Sequence, residues 1–340
     1  MKKISIQATA IVCAGVLLAL TGCSGDGNGA ATTLRVAGQN NPDHPNTTEL
    51  KTMAETVEKA TDGRVKLEIY PNNQLGDYTL MYEEISRGSV DMGLISTPTH
   101  LDNRLEIQYL PYLFTTYDDV NENFTIDSVL GEKLGEIHEQ QGITLLGLFA
   151  EGFGGIGSGK PVNDPANPGT SKGVRCRVPD ITITATNTKD LGFQTVSLPY
   201  AEVYQGMQTG NVEAWTGGHP LVNYLQFRDV INYYYQYNNN FESTHLLINS
   251  DALNSLSEDD QNVLREAGVT LTENSYRLAE QQDEEYRKKM AESGIEVTEF
   301  SQDELERLAE YSREKSWSVL DDPKQKEMIA EVAKSLNIQL

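Results

Sequence analysis

Cysteine is scarce in these 340 residues, with Cys13, Cys23 and Cys176 the full set. The first two lie outside the folded part, Cys13 in an N-terminal leader and Cys23 directly after it, so no disulfide framework can hold the body together. Positive charge is short as well: 27 Lys and Arg stand against 50 Asp and Glu, a formal charge of -23. That balance excludes a sequence-independent grip on nucleic acid or on an anionic bilayer surface. The five histidines, His44, His100, His138, His219 and His245, show no H-E-x-x-H or other ligand spacing, so no metal site is expected. A G-x-S-x-G elbow is absent too. Gly152 to Gly157 matches G-x-G-x-x-G, and Gly154 to Lys160 matches G-x-x-x-x-G-K. Both fail on context, because Pro161, Pro165 and Pro168 forbid the helix that must follow a phosphate cradle. No cofactor is therefore expected. Cys176 alternates with Val174 and Val178, the pattern of a small buried hydrophobe rather than a nucleophile.

Long apolar runs are confined to the start, MKKISIQATAIVCAGVLLALTGC. Its stretch from Ile4 to Leu20 carries Gln7 and Thr9 and ends in Leu20-Thr21-Gly22-Cys23, whereas a span needs about 20 strongly apolar residues. Small residues before a cysteine mark processing. Residues 1–22 are thus a lipoprotein signal peptide, and Cys23 becomes the lipidated first residue. Cleavage removes Lys2 and Lys3 and no acid, taking the charge from -23 to -25. Residues 23–32, with the Gly-rich SGDGNGAA, read as a flexible tether. The body is expected in the periplasm or on the extracellular face, lipid-anchored to a bacterial membrane.

The chain from Thr33 onward is long enough for two domains. Leu34 and Val36 begin a strand; Leu50, Met53, Val57 and Ala60 have helical spacing that Gly63 ends; Val65, Leu67 and Ile69 alternate. Leu80, Met81 and Ile85 return to helix before the strand VDMGLIS. This β-α-β-α-β order predicts a parallel sheet with right-handed crossovers. A second copy runs through GVRCRVP at 173–179, a helix before Gly192, FQTVSLP at 193–199, a helix from Tyr200 to Met207, and GNVEAW at 210–215. Gly88-Ser89-Val90-Asp91 and Gly210-Asn211-Val212-Glu213 hold equivalent places. The Gly-rich 148–160 segment and the tyrosine-rich VINYYYQY, 230–237, are read as crossings between the lobes. Ser257 opens a helical stretch which, even if interrupted at Gly268, runs about 50 Å. Ser301 and Glu304 mark a capping box. The expected domains are 33–151 plus about 240–280, and 152–239 plus about 281–340. Two α/β lobes joined by crossing strands enclose a cleft, and with no catalytic constellation such a protein reads as a solute receptor.

The residues then become recognisable. The chain resembles the solute-binding subunits of tripartite ATP-independent periplasmic (TRAP) transporters. The resemblance rests on DHP at 43–45, TDGRVKLEIYPNNQLGD at 61–77, GSVDMGLIS at 88–96, YLPYLF at 109–114, VRCRVP at 174–179, LPYAEVYQGMQTGNVEAW at 198–215 and LSEDDQ at 256–261. It implies a two-domain periplasmic-binding-protein fold, type II-like, with a cleft between lobes and a long helix shared by both. It also implies capture of a small organic acid and delivery to membrane-embedded small and large permease subunits driven by an ion gradient. A stand-alone signalling receptor and a secreted hydrolase are the alternatives.

The family's central arginine, before Val-Pro, looks like Arg177. A planar guanidinium meets a carboxylate with two parallel hydrogen bonds, which an ammonium cannot do. Strand parity puts Arg175 on the same face, and only the resemblance selects Arg177. By the same resemblance Asn40, His44, Asp77, Tyr78, Ser96, Thr97 and Phe153 face the cleft. Trp215 at a strand end and His219 in the following loop are weaker candidates, since either can be core or plain loop. The chain departs from the family in having Gly154 where many members carry an arginine after Gly-Phe. It also has Ala214 to Pro220 where they carry a Gln-Glu-Asn-Pro turn. A second charged anchor is therefore missing, which favours a monocarboxylate with an apolar or flat body resting on Trp215 and Phe153 over a sugar acid or dicarboxylate.

Overall fold

The computed structural model describes residues 31–338, so the signal peptide, Cys23 and nearly all of the tether lie outside the described residues. The first lobe opens with β1 (Thr32–Gly38), α1 (Pro45–Ala60), β2 (Val65–Tyr70), α2 (Tyr78–Ser86) and β3 (Met92–Ile95). β1 pairs in parallel with both β2 and β3, as the alternation of strand and helix signals predicts. A 3-10 segment (Asn103–Tyr109), α3 (Tyr117–Asn123) and α4 (Val129–Gln140) then lead into β4 (Ile143–Phe153).

The chain crosses there. β4 belongs to the first sheet, of order β2-β1-β3-β10-β4 with β10 the later strand Phe241–Asn249, and the next strand, β5 (Gly155–Ser158), to the second. The second lobe repeats the first: β6 (Arg175–Val178), α5 (Thr182–Asp190), β7 (Gln194–Ser197), α6 (Val203–Gln208) and β8 (Ala214–Gly218), with β6 parallel to both neighbours. The short α7 (Pro220–Val222) runs into a π-helical turn and then β9 (Tyr233–Gln236), in a sheet of order β11-β9-β5-β8-β6-β7 whose edge strand β11 (Glu296–Glu299) comes later in the chain.

The tyrosine-rich strand does not itself cross. It stays in the second sheet as β9, and the return runs through Tyr237 to Asn240 into β10 (Phe241–Asn249), antiparallel between β3 and β4. After α8 (Ser250–Asn254), the helix α9 (Glu258–Glu292) runs 35 residues without a break at Gly268, about 50 Å, capped by Ser257. It packs on β4 and α1 in one lobe and on α7 and β11 (Glu296–Glu299) in the other.

The C-terminal expectation needs one correction. α10 (Gln302–Ser316), begun by the Ser301–Glu304 capping box, places Leu308 and Ala309 in the second-lobe core beside Cys176 and Phe193. α11 (Pro323–Ser335) instead returns to the first lobe, where Met328, Ile329 and Val332 pack with Leu130, Leu134 and Ile137 of α4. Residues 281–340 therefore do not all belong to the second lobe, because the apolar face of α11 finds its partner across the molecule. Among the described residues no helix is long and apolar enough to cross a membrane.

Candidate functional site

The carboxyl ends of the parallel strands in both lobes point at one another, where open α/β sheets place their ligands. Between them lies a cavity of about 60 Å³, room for roughly five waters. The first lobe contributes Gln39 and Asn40 after β1, Tyr78 at the start of α2, Ser96 after β3, Tyr109, and Glu151 on β4. From the second come Arg177 and Pro179 ending β6, Ile181 and Thr184 around α5, Tyr200, and Gly217, His219 and Val222 around the end of β8. Asn240 and Glu242 enter from the return crossing.

Arg177 is the only Lys or Arg in this lining, and its side chain is 3% exposed. Its Nε donates to the Leu198 carbonyl at 2.7 Å and Nη1 to that of Thr216 at 3.4 Å. No carboxylate ion-pairs with it among the described residues, and burial pushes its pKa below the ordinary arginine value. A cation held dry with donors to spare is poised for an anion. Arg175, two steps earlier, lies outside: it is exposed and donates to the Gly210 carbonyl at 2.7 Å.

Glu151 is buried among several donors. One oxygen accepts from Asn40 Nδ2 at 3.0 Å, Asn46 Nδ2 at 3.1 Å and Thr244 Oγ1 at 3.0 Å; the other lies 3.3 Å from His219 Nε2. Burial opposes its charge, but the His219 hydrogen bond, the two histidines and Thr244 outweigh it and hold the carboxyl down at about 2. His44 caps α1, its Nδ1 accepting from the Asn46 amide at 3.1 Å. Burial takes its pKa to about 4, so the ring is neutral with its proton on Nε2.

His44, Glu151 and His219 each offer a ligand atom within 4.8 Å of the others. The chemistry does not suit a cation. With Nδ1 taken by the cap and the proton on Nε2, His44 has no free lone pair, and one Glu151 oxygen already has three donors. The cluster reads as polar scaffolding, with Glu151 and His219 in the cavity wall and His44 behind them.

Of the ten side chains expected at the cleft, Asn40, Tyr78, Ser96, Arg177 and His219 line the cavity. The other five stand elsewhere. Trp215 is fully buried, its Nε1 donating to Asn223 Oδ1 at 3.1 Å and its ring 4.3 Å from that of Phe227. Phe153 packs edge-on against Tyr117 and Phe241 in the first-lobe core. The flat platform expected of these two aromatics is thus absent from the cavity wall: the Trp215 indole lies against the Gly157 and Gly218 backbones, in the second-lobe core. His44 stands behind Glu151, and Thr97 bonds His245 and anchors Tyr109. Asp77 caps α2 and accepts from the Ala201 amide of the opposite lobe at 3.2 Å.

Glu151, Glu242, Tyr109 and Tyr200 were not expected. Glu151 did carry a signal, a lone acid inside the apolar run LLGLFAEGF.

Comparison with known proteins decides the family. The model of bacterial extracellular solute-binding protein family 7, DctP, matches residues 36–318. The chain belongs to this family. It is similar to the sialic acid-binding periplasmic protein SiaP of Vibrio cholerae, 25% identical over 284 residues covering 79% of this chain and 83% of that one. It is also similar to the C4-dicarboxylate-binding periplasmic protein DctP of Rhodobacter capsulatus, 26% identical over 264 residues covering 76% and 77%. A TRAP periplasmic solute-binding protein from Desulfovibrio salexigens, crystallised with orotic acid, shares the fold at a TM-score of 0.82 and 19% identity, over 90% of this chain and 98% of that one. This family 7 member is accordingly a TRAP-type solute-binding protein that works outside the cytoplasmic membrane, with a two-domain fold like that of its relatives and a long helix, α9, packed on both lobes.

Proposed function

We propose that this protein captures a small organic acid by one carboxylate on Arg177 and hands it to small and large TRAP permease subunits. The observation that carries the reading is a buried guanidinium, without a carboxylate partner among the described residues, at the meeting point of two lobes. Arg177 is the single cation of the lining, so a second ligand carboxylate would meet Glu151 and Glu242 rather than a charge that offsets its desolvation. A monocarboxylate fits, and the small cavity favours few heavy atoms. The relatives' names, which refer to sialic acid and C4-dicarboxylates, and the orotic acid in the Desulfovibrio structure support acids as the ligand class. The ligand leaves unchanged, since capture needs no bond-making group. Lipidation at Cys23 would hold the protein beside the permease.

A thermal-shift panel tests this. Monocarboxylates should stabilise the protein at concentrations where dicarboxylates and neutral sugars do little, and bound ligand should be recovered intact by mass spectrometry. Truncating one member of a desolvated charge pair costs about 2–5 kcal/mol, so Arg177→Ala should weaken binding by about 30-fold to several thousand-fold. Near-normal affinity in that variant would remove Arg177 from the mechanism.

A further inference from the structure

Arg177 has an uncompensated counterpart. Glu242, at the start of β10, lines the same cavity and ion-pairs with no cation among the described residues; its side chain accepts only from Asn240 Nδ2. Gly217 stands between the two groups, since a Cβ there would lie 3.6 Å from Glu242 Oε1 and 3.9 Å from Arg177 Nη1. One small molecule can therefore reach both. The Asn240 side-chain oxygen beside Glu242 is buried without a donor, which makes this end rich in acceptors. Glu151 is less open to the ligand, because one oxygen already accepts from Asn40, Asn46 and Thr244 and the other lies 3.3 Å from His219 Nε2.

Building on the carboxylate reading, we infer that the ligand is a zwitterion, a small α-ammonium carboxylate whose cationic end rests on Glu242 while its carboxylate meets Arg177. A plain carboxylate answers Arg177 and leaves Glu242 buried opposite a second anion, so that Glu242 must stay protonated. Burial above all, opposed by the Asn240 hydrogen bond and more weakly by Arg177 and helped by Glu151, already pushes its pKa up to about 8. An ammonium group reverses that, because paired charges in a dry cavity stabilise each other. A zwitterion also approaches a protein of charge -23 without net repulsion.

The experiment is calorimetry on matched trios: alanine, pyruvate and lactate, then valine with the 2-oxo and 2-hydroxy acids of its skeleton, both enantiomers included. The amino acid of at least one trio should bind about tenfold or more tighter than its oxo and hydroxy counterparts. Glu242→Gln, which is isosteric and keeps an acceptor for Asn240, should cost that amino acid about 30-fold or more and the oxo acid less than about threefold. An unchanged apo melting temperature shows that the variant is folded. Oxo or hydroxy acids that bind as tightly as the amino acids, with no change of ratio in Glu242→Gln, would overturn the zwitterion and leave the carboxylate reading standing. If no acid of any trio or of the wider panel binds and Arg177→Ala changes nothing, both readings fall together.

Discussion

A guanidinium kept dry without a carboxylate partner is costly. Its shape is what the site uses. Arg177→Lys keeps the charge but loses the fork and the bond from Nε to Leu198, so it should bind about as poorly as Arg177→Ala, while Arg175→Ala stays near normal. Equal loss in both positions by calorimetry would mean that strand integrity, rather than the cavity, is being read. Titratable groups make a second prediction. Burial lowers His44 to about 4 and His138 to about 3, and His245 well below 6.5, so each is neutral when folded and charges below about pH 6.5 only on unfolding. The unfolded chain then binds more protons, and stability falls as pH drops below 6.5, by at most about 1.4 kcal/mol per pH unit for each histidine. Glu242 has the opposite sign: raised to about 8, it weakens the folded state as pH climbs from 4.5 through 8. Asp283, raised to about 6, partly offsets the acid limb. Ligand-free melting temperature should peak near pH 6.5, and Glu242→Gln should flatten the alkaline limb; a curve level from pH 5 to 8 would contradict both assignments. Family resemblance brought Asn40, Tyr78, Ser96 and Arg177 into view in the sequence, and His219 only as a weaker loop candidate. Glu242 was not, because the strand FESTHLLIN is covered on both faces and shows no alternation to mark an inward acid.

At the scale of elements, the internal repeat was the most legible feature, and the structure shows why. Arg35 donates its backbone N–H to Asp91 and its guanidinium to the Ser89 carbonyl; Arg175 does the same with Glu213 and the Gly210 carbonyl. Gly88 and Gly210 take the same left-handed turn, at φ 74° and 73°. Local sequence fixes such units, so β1 to β3 and β6 to β8 followed from spacing alone. β10 and the return of α11 depend on partners far along the chain and left no local mark. The contact between α9 and β4 depends on glycine. A Cβ on Gly268 would run into the Leu146 carbonyl, and one on Gly147 would lie 2.8 Å from the Gly268 carbonyl oxygen. Gly268→Ala gains up to about 1 kcal/mol in helix propensity, but overpacking against backbone should leave it about 1–3 kcal/mol less stable. Gly135 in α4 has nothing within 4 Å of a Cβ, and Gly135→Ala should stabilise by about 0.5–1 kcal/mol. Denaturant midpoints moving the same way for both would refute the close-approach account.

For the molecule as a whole, the question is what holds the lobes together over the ligand. Besides the pair between Glu151 and His219, two carboxylates bridge them. Asp77 accepts from the Ala201 amide, and Glu106 accepts from the Ile183 amide at 2.8 Å and the Thr182 amide at 3.3 Å. The second bridge caps a helix. α5 has no side-chain cap of its own, and its first amides are satisfied by a glutamate of the first lobe. Opening would return those amides and Glu106 to water, whereas in the closed form Glu106→Ala leaves them without an acceptor. The loss should therefore fall on the closed state, by about 1–2 kcal/mol as for other lost caps. Ligand affinity should drop about 5- to 30-fold, because binding draws on the closed population. Asp77→Ala also removes the α2 cap, so it should lower affinity and apo stability together. Calorimetry with small-angle scattering separates the possibilities. A larger apo radius of gyration and weaker binding in Glu106→Ala mean that this carboxylate is a latch between the lobes. A lowered melting temperature with unchanged affinity would mean that α5 and the 3-10 segment stay together in both states, and that closure turns about another contact.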